Sequence, residues 1–144
     1  MTAEALIAQV VAWAGRQSDI RAVALVGSHA RGNAHADSDI DLVLLCVDPA
    51  RYLKDAAWTE TFGAVAHTAS EDWGMVQSLR VFYLHGPEVE FGLTSPAWAA
   101  LPPDRGTAEV IEDGARVLLD RDGSLRSLVE CIGRARRDER LCAG

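Results

Sequence analysis

Two short groups of residues could carry out chemistry together: Gly27-Ser28, and Asp39 with Asp41. The first pair ends an apolar run at residues 21–26. The two aspartates open a second apolar run, and a ten-residue spacer lies between the groups. Side chains alternate faces along a strand, so aspartates at i and i+2 project from one side. Paired carboxylates repel unless a cation lies between them. Hard oxygen ligands of this kind suit Mg²⁺, which takes one or two carboxylates together with substrate phosphates. Gly27 lets the backbone approach a phosphate closely. Backbone N–H groups and the Ser28 hydroxyl would then cradle it.

These residues need a frame, and the hydrophobic pattern predicts one. Residues 2–17 read as a helix with Thr2 as N-cap and Leu6, Val10, Val11 and Trp13 near one stripe. Residues 21–26 form a strand, a short helix begins at Ser28, and residues 39–46 form a second strand. Beyond the aspartates this strand is apolar on both faces, as expected of a covered central strand. A turn and short helix follow from Pro49 to Phe62, and residues 63–74 give no clear pattern. Residues 76–84 and 88–94 form a hairpin. A capped turn at Ser95, a helix around 107–113, a strand at 115–119 and a final helix over 124–137 complete the chain. The alternation predicts one α/β (α+β) domain over 1–144, with a mixed central sheet of about five strands flanked by helices.

Composition narrows the function classes. A length of 144 residues, with 49% hydrophobic and 24% charged residues, fits one globular domain rather than a disordered chain. A net charge of −7 argues against a protein that chiefly grips nucleic acid. No segment has the length and apolarity of a membrane span, and the N-terminus reads as an amphipathic helix rather than a signal peptide. Cys46, Cys131 and Cys142 lack metal spacing and read as reduced thiols of a cytoplasmic protein. The chain contains neither a phosphate-binding GxxxxGK[ST] loop nor a GxSxG nucleophile elbow.

The string GSHARGNAHADSDIDLVLL, with Gly-Ser, a ten-residue spacer and Asp-x-Asp, resembles the signature of the DNA polymerase β-type nucleotidyltransferase superfamily. It is most similar to small bacterial members, namely minimal nucleotidyltransferases and aminoglycoside-type adenylyltransferase domains. The resemblance covers about residues 20–95. It implies a mixed sheet with the Gly-Ser helix and the DxD strand at its centre, and a third carboxylate from a later strand. Val89-Glu90-Phe91 matches that third position; Glu88 shares its face and is the alternative. Asp39, Asp41 and Glu90 would then hold two Mg²⁺ ions, with Glu90 also helping to deprotonate the acceptor. Gly27 and Ser28 would fix the β- and γ-phosphates of an NTP. Arg31 could reach the triphosphate or be a helix-surface arginine, and Ser38 could contact phosphate or cap its turn.

The implied reaction moves an NMP, AMP from ATP, onto an acceptor hydroxyl such as that of an aminoglycoside-type molecule. An acidic face near Glu88 would suit a cationic acceptor. The chain ends soon after its final helix, so a homodimer joined through the apolar first and last helices is one way to complete an acceptor pocket. The alternative is an antitoxin of the minimal-nucleotidyltransferase type that binds, and can adenylylate, a HEPN-type ribonuclease. His29, His35 and Asp37 match no familiar zinc pattern, and His85 reads as exposed. Trp73, Tyr83 and Trp98 read as core in preference to base-stacking residues. Arg134, Arg136, Arg137 and Arg140 read as a solvated helix face that could meet an acidic partner.

Overall fold

The computed structural model describes the backbone of residues 1–35 and 37–143, with side chains described through residue 135. Strands β1 (Ile20–Val26), β2 (Ile40–Cys46), β3 (Val65–Asp72), β4 (Gln77–Tyr83), β5 (Glu88–Thr94) and β6 (Ala115–Asp120) form one sheet, in the order β3-β4-β5-β2-β1-β6. The sheet has six strands rather than about five. The additional one, β3, is exposed along nearly its whole length, so it carries no alternation of buried and solvated residues for a sequence pattern to register. Backbone pairing to β4 defines it, with His67 stacked on Phe82 and Val65 at the core's edge as its side-chain contacts.

Pairing between β2 and β5 is parallel, and the other pairings are antiparallel. β2 and β1 lie inside the sheet and are covered on both sides, which accounts for their almost unbroken apolar sequences. Alternation along these strands divides the core in two. Ile40, Leu42 and Leu44 of β2 and Val89, Phe91 and Leu93 of β5 face the helix α1 (Ala3–Gly15), the helix α3 (Pro49–Lys54) and a 3-10 segment at Ala56–Phe62. Val43 and Leu45 face the opposite way. They pack with Trp98 of a 3-10 turn (Pro96–Ala99), Ile111 of α4 (Arg105–Glu112) and Leu125, Leu128 and Ile132 of α5 (Ser124–Ala143).

Local signals explain the element ends. Thr2 accepts a hydrogen bond from the Ala5 N–H at 3.1 Å and starts α1. Asp104 caps α4 by accepting from Gly106 and Thr107, and Asp120 accepts from Leu125 and Arg126 at the start of α5. The apolar stripes of α1 and α5 are both consumed inside the chain, on opposite faces of the sheet. Cys46 is buried and Arg134 exposed. The side chains of Arg136, Arg137, Arg140 and Cys142 lie outside the described residues.

Candidate active site

Four acidic residues meet where β2 and β5 begin. In the parallel register Asp41 pairs with Glu90 and Ile40 with Val89, which brings Asp39 and Glu88 together just ahead. The sequence left both Glu88 and Glu90 possible. The register sets Glu90 beside Asp41 and Glu88 beside Asp39, and within each pair the carboxyl groups are in hydrogen-bond contact. Asp39 lies one residue before β2 rather than within it.

Burial, followed by the neighbouring Glu90 and Asp39, pushes the Asp41 carboxyl up to about 7. The hydrogen bond with Asp39, together with burial, raises Glu88. Crowded carboxyls that retain a proton when no cation is near would release it once a cation is placed between them. Arg80 on β4 supplies one positive charge. Its Nη1 lies 3.1 Å from Asp39 Oδ2 and 3.4 Å from Glu88 Oε2, and its Nη2 lies 3.2 Å from Glu90 Oε2. Ser78 donates to Glu90 Oε1 at 2.7 Å. Sequence reasoning missed both Arg80 and Ser78. The signal was available in principle: in the antiparallel β4–β5 hairpin Arg80 pairs with Glu90 and Ser78 with Gly92, on the carboxylate face.

Gly27 joins this group through its backbone. Val26 pairs with Asp41 across β1 and β2, so the chain leaves β1 directly beside the carboxylate. Gly27 has φ +74°, and a Cβ there would lie 2.5 Å from Asp41 Oδ2. Only glycine fits this position without strain. Ser28 begins the four-residue helix α2 (Ser28–Arg31) immediately afterwards. Arg31 points elsewhere: its Nη1 lies 2.6 Å from Asp113 Oδ2, and its stem packs on Gly114. The Ser38 hydroxyl accepts from the His35 N–H at 2.7 Å, as a turn cap does. The structure thus brings together Gly27, Asp39, Asp41 and Glu90, sets Ser28 next to them, and engages Arg31 and Ser38 with local partners.

The donor chemistry fits a hard divalent cation: aspartate and glutamate oxygens on adjacent strands, with a backbone cradle that a Cβ would fill. Asp39, Asp41 and Glu90 are the residues that would hold it. Among the described residues no three His, Cys, Asp or Glu side chains already form a metal-holding group; here the Arg80 guanidinium stands among the carboxylates.

A cavity of about 400 Å³ opens beside Asp41 and Glu90 and runs beneath α4 and Trp98. Gly92 lines it, and a Cβ at Gly92 would meet Val76 Cγ1 at 2.9 Å, so Val76 occupies the space that a side chain there would need. Tyr83 and Trp98 are buried, as expected. Trp73 departs from the core reading: it is 62% exposed and stands at the cavity mouth. It sits in the β3–β4 turn, where no packing surface covers it.

A sequence model described as streptomycin adenylyltransferase matches residues 1–134. No curated protein matches the sequence. Among solved structures, an aminoglycoside 6-adenyltransferase from Bacillus subtilis superposes with TM-score 0.55 at 15% identity, covering 80% of this chain and 40% of that one. A CCA-adding enzyme in complex with CTP superposes at TM-score 0.45 and 18% identity, covering 90% of this chain and 35% of that one. The chain thus spans about 40% of the length of the Bacillus enzyme that it resembles. No described helix is long and apolar enough to cross a membrane. With the family model matched over nearly the whole chain and the mixed sheet shared with a solved adenyltransferase, the chain belongs to the streptomycin adenylyltransferase family and has the nucleotidyltransferase fold.

Proposed function

We propose that this chain transfers a nucleoside monophosphate, AMP from ATP, to the hydroxyl of a small-molecule acceptor and releases pyrophosphate, in a reaction that depends on Mg²⁺. The observation that carries this reading is the convergence of Gly27, Asp39, Asp41 and Glu90 at the entry of two parallel strands. The names of the matched family and of the Bacillus enzyme make an aminoglycoside-type acceptor the first class to screen.

The chain's own residues divide the work. The backbone at Gly27 and the Ser28 hydroxyl hold the terminal phosphates at a position that no side chain obstructs. Asp39, Asp41 and Glu90 would hold the cation, and when bound it would supply positive charge to offset the charge that develops on the phosphates during transfer. Glu90 is placed to take the acceptor's proton as the hydroxyl oxygen bonds to the α-phosphorus. Ser78 and Arg80 hold the Glu90 carboxylate in orientation.

Calorimetric titration of ATP, GTP, CTP and UTP, with and without Mg²⁺, tests the proposal. Metal-dependent binding of one nucleotide is expected for the wild type, and its loss in Asp39→Asn/Asp41→Asn. The same double variant should lose transfer activity by about 10⁴-fold, since several kcal/mol of charge stabilisation disappears. Failure of every NTP to bind the folded, metal-replete protein would overturn the reading and favour a protein-binding role.

A further inference from the structure

We infer that Arg80 is a built-in counter-ion that competes with a divalent cation for Asp39 and Glu90, and so sets the metal affinity of this centre. The inference rests on the nucleotidyl-transfer reading and deepens it by naming what controls metal entry. Arg80 reaches three of the four carboxyls, with Nη1 at Asp39 and Glu88 and Nη2 at Glu90. Two of these, Asp39 and Glu90, belong to the set that would hold the cation. A guanidinium only donates hydrogen bonds, so it cannot join the ligands of a metal. It uses the oxygens that a metal would need, and its charge repels a second cation placed beside it. Metal entry therefore requires Arg80 to give up both contacts.

The surroundings give the displaced side chain a place to go. On β4, Arg80 stands opposite Glu90 of β5 on one side and Ala69 of β3 on the other. Cross-strand partners share a face, so the side toward β3 holds only a methyl group at that level. Ala69 is exposed there. Glu71, two residues further along β3 and on the same face, attracts the guanidinium from that side. Glu88 is not among the residues that would hold the cation, and it stays within reach of Nη1. Arg80 thus keeps one carboxylate and approaches another as it leaves Asp39 and Glu90. Its side chain is 26% exposed, so this motion disturbs no core packing. Glu90 is not left loose, because Ser78 donates to its other oxygen, Oε1.

The test is titration of Mn²⁺ alone into the full chain, read by the electron paramagnetic resonance signal of the free ion. Arg80→Met removes the charge at similar length, Arg80→Gln is a second neutral variant, and Arg80→Lys keeps the charge. Melting curves show which variants fold. The neutral variants should bind Mn²⁺ at least about tenfold tighter than the wild type, and Arg80→Lys within about threefold of it. A purely structural arginine predicts the opposite sign, since carboxyls that lose their support would bind metal more weakly. Mn²⁺ should also raise the melting temperature of the neutral variants more than that of the wild type. Glu88→Gln should weaken Mn²⁺ binding in the wild type and do so less in Arg80→Met, where no arginine needs retaining. Binding by the folded neutral variants that is no tighter than the wild type's, or an equal gain in Arg80→Lys, would overturn the inference. An equal loss from Glu88→Gln in both backgrounds would overturn the part given to Glu88. These titrations omit nucleotide, so the absence of a gain while ATP with Mg²⁺ binds the wild type removes the inference alone. Failure of every NTP while the neutral variants gain Mn²⁺ affinity would remove the transfer reading and leave the competition in place.

Discussion

The two faces of the sheet obey opposite rules although they share the same strands. One face is dry and aromatic. Trp13 stacks on Trp58 with centroids 5.1 Å apart, and Trp58 meets Phe91 edge-on at 4.8 Å. Tyr52 and Phe62 complete the cluster, and Tyr52 donates its hydroxyl to Asp19. Polar groups on this side have partners, and the packing is close. The other face carries four crowded carboxyls, one arginine and an open cavity. Phe91 and Glu90 are neighbours in sequence yet belong to these two environments. The dry face provides the stability that allows repelling charges to be held at fixed positions on the other.

Phe91→Ala tests that dependence most severely. Phe91 is fully buried between Trp58 and Phe62. Its loss should destabilise the fold by about 3–5 kcal/mol, read by urea denaturation. Because β5 also carries Glu90, metal-dependent nucleotide binding should weaken with it; unchanged binding would show that the faces are independent.

Gly27→Ala acts from the opposite face. A Cβ would meet Asp41 Oδ2 at 2.5 Å, and the residue would have to keep φ +74°. Strain of about 1–2 kcal/mol, together with displacement of Asp41, should lower transfer by about 10–100-fold while the dry core remains intact. Near-UV circular dichroism, which reports the aromatic cluster, should match the wild type. A changed aromatic signal would mean that the core is also disturbed.

The smallest effect is the pH dependence of stability. Burial and the neighbouring carboxyls raise Asp41 to about 7 in the folded chain, above its unfolded value. Between those values the folded state holds a proton that the unfolded chain has released, so stability falls as pH rises through that window. Asp41→Asn removes this loss. Without metal, the variant should melt higher than the wild type at pH 8, by about 1–2 kcal/mol after allowance for Asp41's partial exposure, and equally at pH 4. Added Mg²⁺ should narrow the gap by stabilising the wild type. A gap that does not vary with pH would mean that Asp41 is not the strained group.

Much of the fold was legible in the sequence because its signals are local. The boundaries of β5 coincide with the expected 88–94, since Val89, Phe91 and Leu93 alternate with polar or small residues between a Gly-Pro turn and Ser95. Thr2 and Ser95 read as caps and are caps. β3 was illegible because it pairs through its backbone while its side chains face solvent. Arg31 illustrates the same limit: an arginine on the helix that follows the Gly27-Ser28 turn has a type that suits either role, and Asp113, 82 residues away, is its partner.

By itself the sequence determined the chemical groups and their handedness on each strand: a glycine-serine turn, two aspartates at strand entry, and a later glutamate on a polar face. Type, spacing and strand parity fix these, and all are properties of consecutive residues. Only the tertiary structure decided which glutamate stands beside which aspartate, that Arg80 enters their midst, that Gly27 leaves no room for a side chain, and that a valine-walled cavity ends at Glu90. Each of these depends on strand register and on elements distant in sequence. Pairing between strands is set by the burial of the whole sheet rather than by any segment alone.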